Sequence, residues 1–140
     1  MKKSSRRPRE IFLSHAHEDR SIARQLADDL TRHSLRAWIS DHHVAAPHEW
    51  IDEIGKALKR CDWFIVVLTP AAIRSIWVKR EVGFALNDRR YAGRIIPLVA
   101  RACNPTQLAW PLAVIQSLDC RDYDKGIRKL LRIWNIAYRP

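Results

Sequence analysis

Apolar residues along this chain fall into two alternating patterns. Short, nearly unbroken runs read as strands over residues 10–14, 35–39, 62–68, 94–99 and 114–118. Between them, apolar residues recur every three or four positions, the spacing of a helix with one buried face. Residues 18–33 carry such a stripe in Ile22, Ala23, Leu26, Ala27 and Leu30. Residues 50–60 carry another, with Ile51, Ile54, Ala57 and Leu58 expected inward. A third helix starts at Ser75, whose hydroxyl can cap it, and runs to about residue 90 with Val78, Val82, Ala85 and Leu86 inward. A closing helix is expected over 122–136. The segments 40–49 and 100–113, broken by Pro47, Pro105 and Pro111, read as loops.

Strand and helix therefore alternate through the whole chain. Short apolar strands joined by amphipathic helices imply a parallel sheet covered on both faces, with right-handed crossovers. The run 62–68 is the most apolar and is expected at the centre. Such a sheet opens its ligand crevice beyond the carboxyl ends of its strands. The loops at that edge carry Ser14-His15, Asp41-His42-His43, residues 69–75 and residues 100–113.

One acid stands out against this frame. Glu81 is the only acid between Asp62 and Asp88, and it falls at the edge of the apolar arc of its helix, one turn after Trp77. Two readings fit: a solvated boundary glutamate beside an anchoring tryptophan, or a partly desolvated carboxylate suited to chemistry or to a polar ligand.

Composition narrows the classes. At 140 residues, 47% apolar and 29% charged, the chain makes one globular domain. The net charge is +10, but Lys2, Lys3, Arg6, Arg7 and Arg9 supply five of those charges, so residues 1–9 read as a basic disordered tail ahead of a domain over 10–137. A solubilising tail is favoured over one that touches nucleic acid or anionic lipid, so nucleic acid is not expected as a partner. No apolar run is long enough for a signal peptide core or a membrane span. Cys61, Cys103 and Cys120 are odd in number and far apart, as in a reducing cytosol. His42, His43 and His48 lack the spacing of a metal site. No glycine-rich phosphate loop is present, which excludes dinucleotide-binding dehydrogenases and P-loop enzymes. Response regulators share this type of fold, but Ser14-His15 and Thr69 stand where their acidic cluster and phospho-accepting aspartate would be.

Several of these segments resemble the boxes of the Toll/interleukin-1 receptor (TIR) domain family, its bacterial members more than its animal receptors. Ile11-Phe12-Leu13-Ser14-His15-Ala16-His17-Glu18-Asp19 is similar to the opening box, and Ala37-Trp38-Ile39-Ser40-Asp41 to the second strand and the start of the BB loop. Ile65-Val66-Val67-Leu68-Thr69-Pro70, with Ser75-Ile76-Trp77 and Glu81, resembles the third strand and the next helix. Arg94-Ile95-Ile96-Pro97-Leu98 resembles the fourth strand. The family's BB loop usually carries a Pro-Gly step, where this chain has Pro47-His48.

The resemblance implies a flavodoxin-like α/β fold with a five-stranded parallel sheet. It implies one of two functions: hydrolysis of NAD at the nicotinamide–ribose bond, or non-catalytic assembly of signalling complexes. In the enzymes an essential glutamate stands four positions after a helix tryptophan, a spacing met here by Trp77 and Glu81. Ser14, His15, Asp41, Ser75 and Trp77 are then expected as substrate contacts, with Arg36, Arg74 and Lys79 as candidate phosphate partners. NAD enters as substrate, no cofactor or metal is expected, and the product is ADP-ribose or a cyclic isomer. The same resemblance implies self-association, a cytoplasmic setting, a role in antiviral defence or signalling, and an effector that senses a nucleotide product.

Overall fold

A computed structural model describes residues 7–41 and 47–140, with side chains from Trp50 onward in the second stretch. Residues 1–6 of the expected tail, and His42, His43 and Val44-Ala45-Ala46 of the expected loop, lie outside the described residues. Arg9 is held: its backbone N–H donates to both carboxylate oxygens of Asp62, at 3.0 and 3.1 Å.

Five parallel strands form one sheet in the order β2-β1-β3-β4-β5. They are β1 (Ile11–Ser14), β2 (Ala37–Ile39), β3 (Trp63–Leu68), β4 (Ile95–Val99) and β5 (Leu118–Asp119). The helices are α1 (Arg20–Arg32), α2 (Pro47–Arg60), α3 (Pro70–Arg74), α4 (Ile76–Leu86) and α5 (Tyr123–Ile133). The flavodoxin-like five-stranded sheet with helices on both faces, and the central place of β3, are as expected from the sequence.

Because side chains alternate across a strand, residue parity sorts the core into two halves. Ile11, Leu13, Trp63, Ile65, Val67, Ile96 and Leu98 pack with α1 and α5. Phe12, Phe64, Val66 and Leu68 pack with α2, α3 and α4. All six residues of β3 are buried, as a central strand covered on both faces requires. Phe12 stacks on Phe64 at 5.3 Å between ring centroids, which fastens the second layer to the middle of the sheet.

Several elements differ from expectation, each for a local reason. The loop expected over 40–49 ends at Pro47, which starts α2, since a proline suits a first helical turn. His48, where the family usually has glycine, is therefore helical. Ile51 is 45% exposed rather than inward. Thr69 caps a short helix, α3, accepting from the Ala72 N–H at 3.1 Å. Ser75 then ends α3 and caps α4 as expected, accepting from the Val78 N–H at 3.2 Å, so a short helix fills what was expected as a loop. The fifth strand is only Leu118–Asp119; Trp110–Ala113 coils into a 3-10 turn behind Pro111, and Val114 is 82% exposed.

The closing helix is pinned to α1 by polar contacts. The Tyr123 hydroxyl donates to Asp29 at 2.5 Å, and Arg32 pairs with the same carboxylate. Burial opposes the charge on Asp29, but these two donors outweigh it and hold its carboxyl below the ordinary value. Gly126 crosses so close to β5 that an added Cβ would lie 2.7 Å from the Cys120 Cα.

Two outcomes are expected. A methyl group at position 126 would strike backbone, so Gly126→Ala should cost more than about 2 kcal/mol in urea unfolding. Tyr123→Phe should cost roughly 1.5 kcal/mol at neutral pH. A depressed carboxylate stabilises the fold above its unfolded pKa of about 3.9 and loses that contribution as pH falls through its folded value. The gap between wild type and Tyr123→Phe should therefore close below about pH 4.

Candidate active site

Strand parity places the candidate chemistry. Ser14 ends β1 on the Phe12 side, and Ser40 follows β2 on the Trp38 side, so both hydroxyls face the layer that holds α4. Leu13 pairs with Ile39 across the parallel ladder, which brings the next residues, Ser14 and Ser40, side by side at the carboxyl edge. On α4, Val78, Val82 and Ala85 are buried and draw Glu81 inward with them. The carboxylate meets the serines there. The Ser14 hydroxyl donates to Glu81 Oε1 at 2.7 Å, and the Ser40 hydroxyl donates to Oε2.

Glu81 is 2% exposed, and Ser14 and Ser40 are fully buried. Of the two readings open from the sequence, the solvated boundary glutamate is excluded. Each serine–carboxylate bond is charge-assisted, of the kind worth roughly 1.5–3 kcal/mol. Among the described residues the site thus holds an acceptor that takes hydrogen bonds from two small hydroxyls, the same group a sugar would offer.

On the other side of the same edge lies a cleft of about 160 Å³, lined by His15, Arg20, Arg24, Ile39 and Asp41. His15 and Asp41 are the chain neighbours of Ser14 and Ser40, so the cleft and the carboxylate are separated by little more than one backbone. His15 is 4% exposed, and its Nδ1 lies 2.6 Å from the Ala16 carbonyl oxygen, so that nitrogen carries the proton. Its loop is fastened to the next one: the Thr69 hydroxyl donates to Asp19 at 2.5 Å, and both side chains are buried.

The remaining expected contacts stand further out. Trp77 is half-buried one turn before Glu81, edge-on to Trp50 at 4.4 Å, with the Arg80 guanidinium 4.8 Å from its ring centroid. It walls the α2–α4 layer. Ser75 accepts the α4 cap bond, and its hydroxyl is not bonded to the carboxylate. Of the candidate phosphate partners, Arg36 precedes β2 and so sits at the opposite edge of the sheet. Arg74, at the end of α3, and Lys79, on the outer face of α4, are exposed, and neither lines the cleft.

Three residues were not singled out from the sequence: Ser40, Arg20 and Arg24. Parity could have found Ser40, because it follows β2 as Ser14 ends β1. The two arginines gave no signal, because a charged residue on the outer face of α1 reads as ordinary surface.

Larger cavities lie elsewhere, notably one of about 680 Å³ between β4, β5 and α5. Its lining mixes apolar residues such as Trp63, Ile96 and Leu118 with Gln116, Ser117, Asp119 and Lys129, and none of the expected site residues is among them. Among the described residues no His, Cys, Asp and Glu cluster could hold a metal, and no helix is long and apolar enough to cross a membrane.

Comparison with known proteins gives a consistent result. The chain is 27% identical over 110 residues to a Brachypodium distachyon protein named "Probable 2' cyclic ADP-D-ribose synthase BdTIR", covering 77% of this chain and 47% of that protein. It therefore spans about half the length of the curated relative it matches. The TIR domain of the Toll-related receptor TRR-2 from Hydra magnipapillata superposes with a TM-score of 0.70 at 22% identity, covering 89% of this chain and 98% of that one. The TIR domains of the activated Roq1 resistosome, a structure that directly recognises the pathogen effector XopQ, superpose with a TM-score of 0.69 at 17% identity, covering 88% and 97%. The family model for the TIR domain matches residues 11–131, and this chain belongs to that family.

Proposed function

We propose that this TIR domain cleaves NAD at the nicotinamide–ribose bond, with Glu81 as the catalytic carboxylate. The observation that carries the reading is a buried carboxylate at the strands' carboxyl edge whose two oxygens accept from serine hydroxyls. The hydroxyls of the nicotinamide-side ribose take the place of one or both serines. The carboxylate then lies beneath the sugar ring, where positive charge develops as the bond breaks.

The reaction balances without an acid. The C1′–N1 bond breaks and its electron pair leaves with nicotinamide, which departs neutral from a pyridinium. The oxygen of water attacks C1′ and releases a proton, giving ADP-ribose. An adenine nitrogen or a ribose hydroxyl of the same molecule, attacking instead, gives a cyclic isomer. The curated Brachypodium relative bears the name of a synthase of that second kind, which supports keeping the ring-closing acceptor within the proposal. Trp77 stands one turn before Glu81 on the α4 side, and Asp41 and His15 line the cleft on the other.

Self-association, a part in antiviral defence or signalling, a cytoplasmic setting and an effector that senses the nucleotide product follow from family resemblance and stand as parts of this proposal. The alternative, a non-catalytic assembly module, predicts no dependence of any reaction on Glu81.

Concentrated protein incubated with NAD should release nicotinamide, read by chromatography. Glu81→Gln should lower that release by about 100-fold or more. Its Tm should move by only a few degrees, because glutamine keeps the shape and one acceptor. A large loss of stability with unchanged release would return the serine–glutamate contact to structure alone. Ser40→Ala should retain release while altering the KM for NAD, since the ribose supplies the missing donor.

A further inference from the structure

Arg20 and Arg24 stand one turn apart at the start of α1, and both line the cleft with His15, Ile39 and Asp41. Both are exposed. Like charges four residues apart on a helix repel each other, so the pair is mildly unfavourable by itself. Neither arginine forms an ion pair with a carboxylate among the described residues. Arg20 Nη1 lies 3.1 Å from both the carbonyl oxygen and the ring Nε2 of His17, which steadies one arm of the fork and leaves the other N–H groups available. Arg24 makes no hydrogen bond or ion pair among the described residues. The amino end of a 13-residue helix adds a partial positive charge at the same place.

The geometry points to a diphosphate clamp: we infer that Arg20 and Arg24 hold the pyrophosphate of the dinucleotide while Glu81 holds its ribose. This rests on the NAD-cleaving reading above and adds the group that selects the substrate. The cleft has room for a diphosphate rather than for a whole dinucleotide, and it lies across the strand ends from the carboxylate. Ser14 and Ser40 hold Glu81, and their chain neighbours His15 and Asp41 line the cleft with the arginines, so the two sets of groups meet at the same strand ends. The ligand drapes over the carboxyl ends of β1 and β2, sugar on the α4 side and phosphates on the α1 side. Guanidinium groups suit this task because their planar forks match phosphate oxygens. The arginines touch neither reacting atom; they set affinity and specificity for substrates that carry phosphate.

The test measures two things on wild type, Arg24→Ala, Arg24→Lys and Arg20→Ala/Arg24→Ala. The first is calorimetric binding of ADP-ribose, repeated at low and high salt. The second is the ratio of kcat/KM for NAD to that for nicotinamide riboside, which has the scissile bond and no phosphate. Each lost arginine should weaken ADP-ribose about tenfold, and Arg24→Lys should restore part of that loss. The NAD-to-riboside ratio should fall at least tenfold in the double variant, a change that general loosening of the fold would not produce. ADP-ribose binding within twofold of wild type in the double variant overturns the clamp, as does a wild type that binds no ADP-ribose. A wild type that binds ADP-ribose through the arginines but releases no nicotinamide upholds the clamp and overturns the catalytic reading of Glu81.

Discussion

The site depends on one contact, the carboxylate of Glu81 held between the hydroxyls of Ser14 and Ser40. A buried carboxylate is costly unless its oxygens are hydrogen-bonded, so the contact can form only where donors are already in place. Two features of the sheet place them. The ladder between β1 and β2 sets Leu13 against Ile39 and so puts the next two residues abreast. Side-chain alternation then turns both hydroxyls toward α4. A one-residue slip of β2 would send Ser40 to the opposite face and leave one oxygen of Glu81 without its donor. The register of an edge strand only three residues long thus governs the chemistry at the edge.

The rest of the molecule keeps that register. β2 lies at the border of the sheet and has a single neighbouring strand, so its hold comes from packing. Trp38 packs on Phe12 at 5.2 Å and thereby on the stack beneath it. On the other face α1 covers β2, and α1 is fixed at its far end by the closing helix and the chain after it. His33 accepts from the Arg139 N–H at 2.8 Å, and Arg32 donates to the Arg139 carbonyl at the same distance. These contacts are remote from Glu81, yet they hold the helix whose first turn carries Arg20 and Arg24. The thiols play no comparable part. Burial pushes Cys61 up to about 12 and Cys120 to about 11, so both stay protonated as small apolar side chains.

Legibility followed the strength of periodicity. β3 and the inner stripe of α4 could be read directly, because six consecutive apolar residues and a three-four spacing each admit few alternatives. Glu81 was legible as an anomaly in that stripe, though its burial was not, because a boundary position is consistent with water or with a hydroxyl partner. Val114 misled: an apolar residue in a short run reads as strand, but Pro111 coils the segment and delays β5 to Leu118–Asp119. Ser75 was rightly read as a cap of α4. Arg20 and Arg24 were invisible because their meaning lies in what faces them across a loop, which no periodicity records.

The closed state of the site bears on how a ligand gains entry. Glu81 is 2% exposed and the neighbouring cleft holds about 160 Å³, so no dinucleotide fits without displacing something. In the proposed reaction it displaces a serine donor, and a ribose hydroxyl replaces it with a bond of the same kind. Such an exchange conserves hydrogen bonds and yields little net free energy. Affinity must then come from groups whose charge is not already satisfied. Among the residues of the cleft those are the guanidinium groups of Arg20 and Arg24. On the proposed reading, a carboxylate that recognises the sugar by exchange and a cationic pair that supplies the attraction divide the work between the two faces of the sheet. This division explains why the polar groups sit on opposite sides of the strand ends instead of in one pocket.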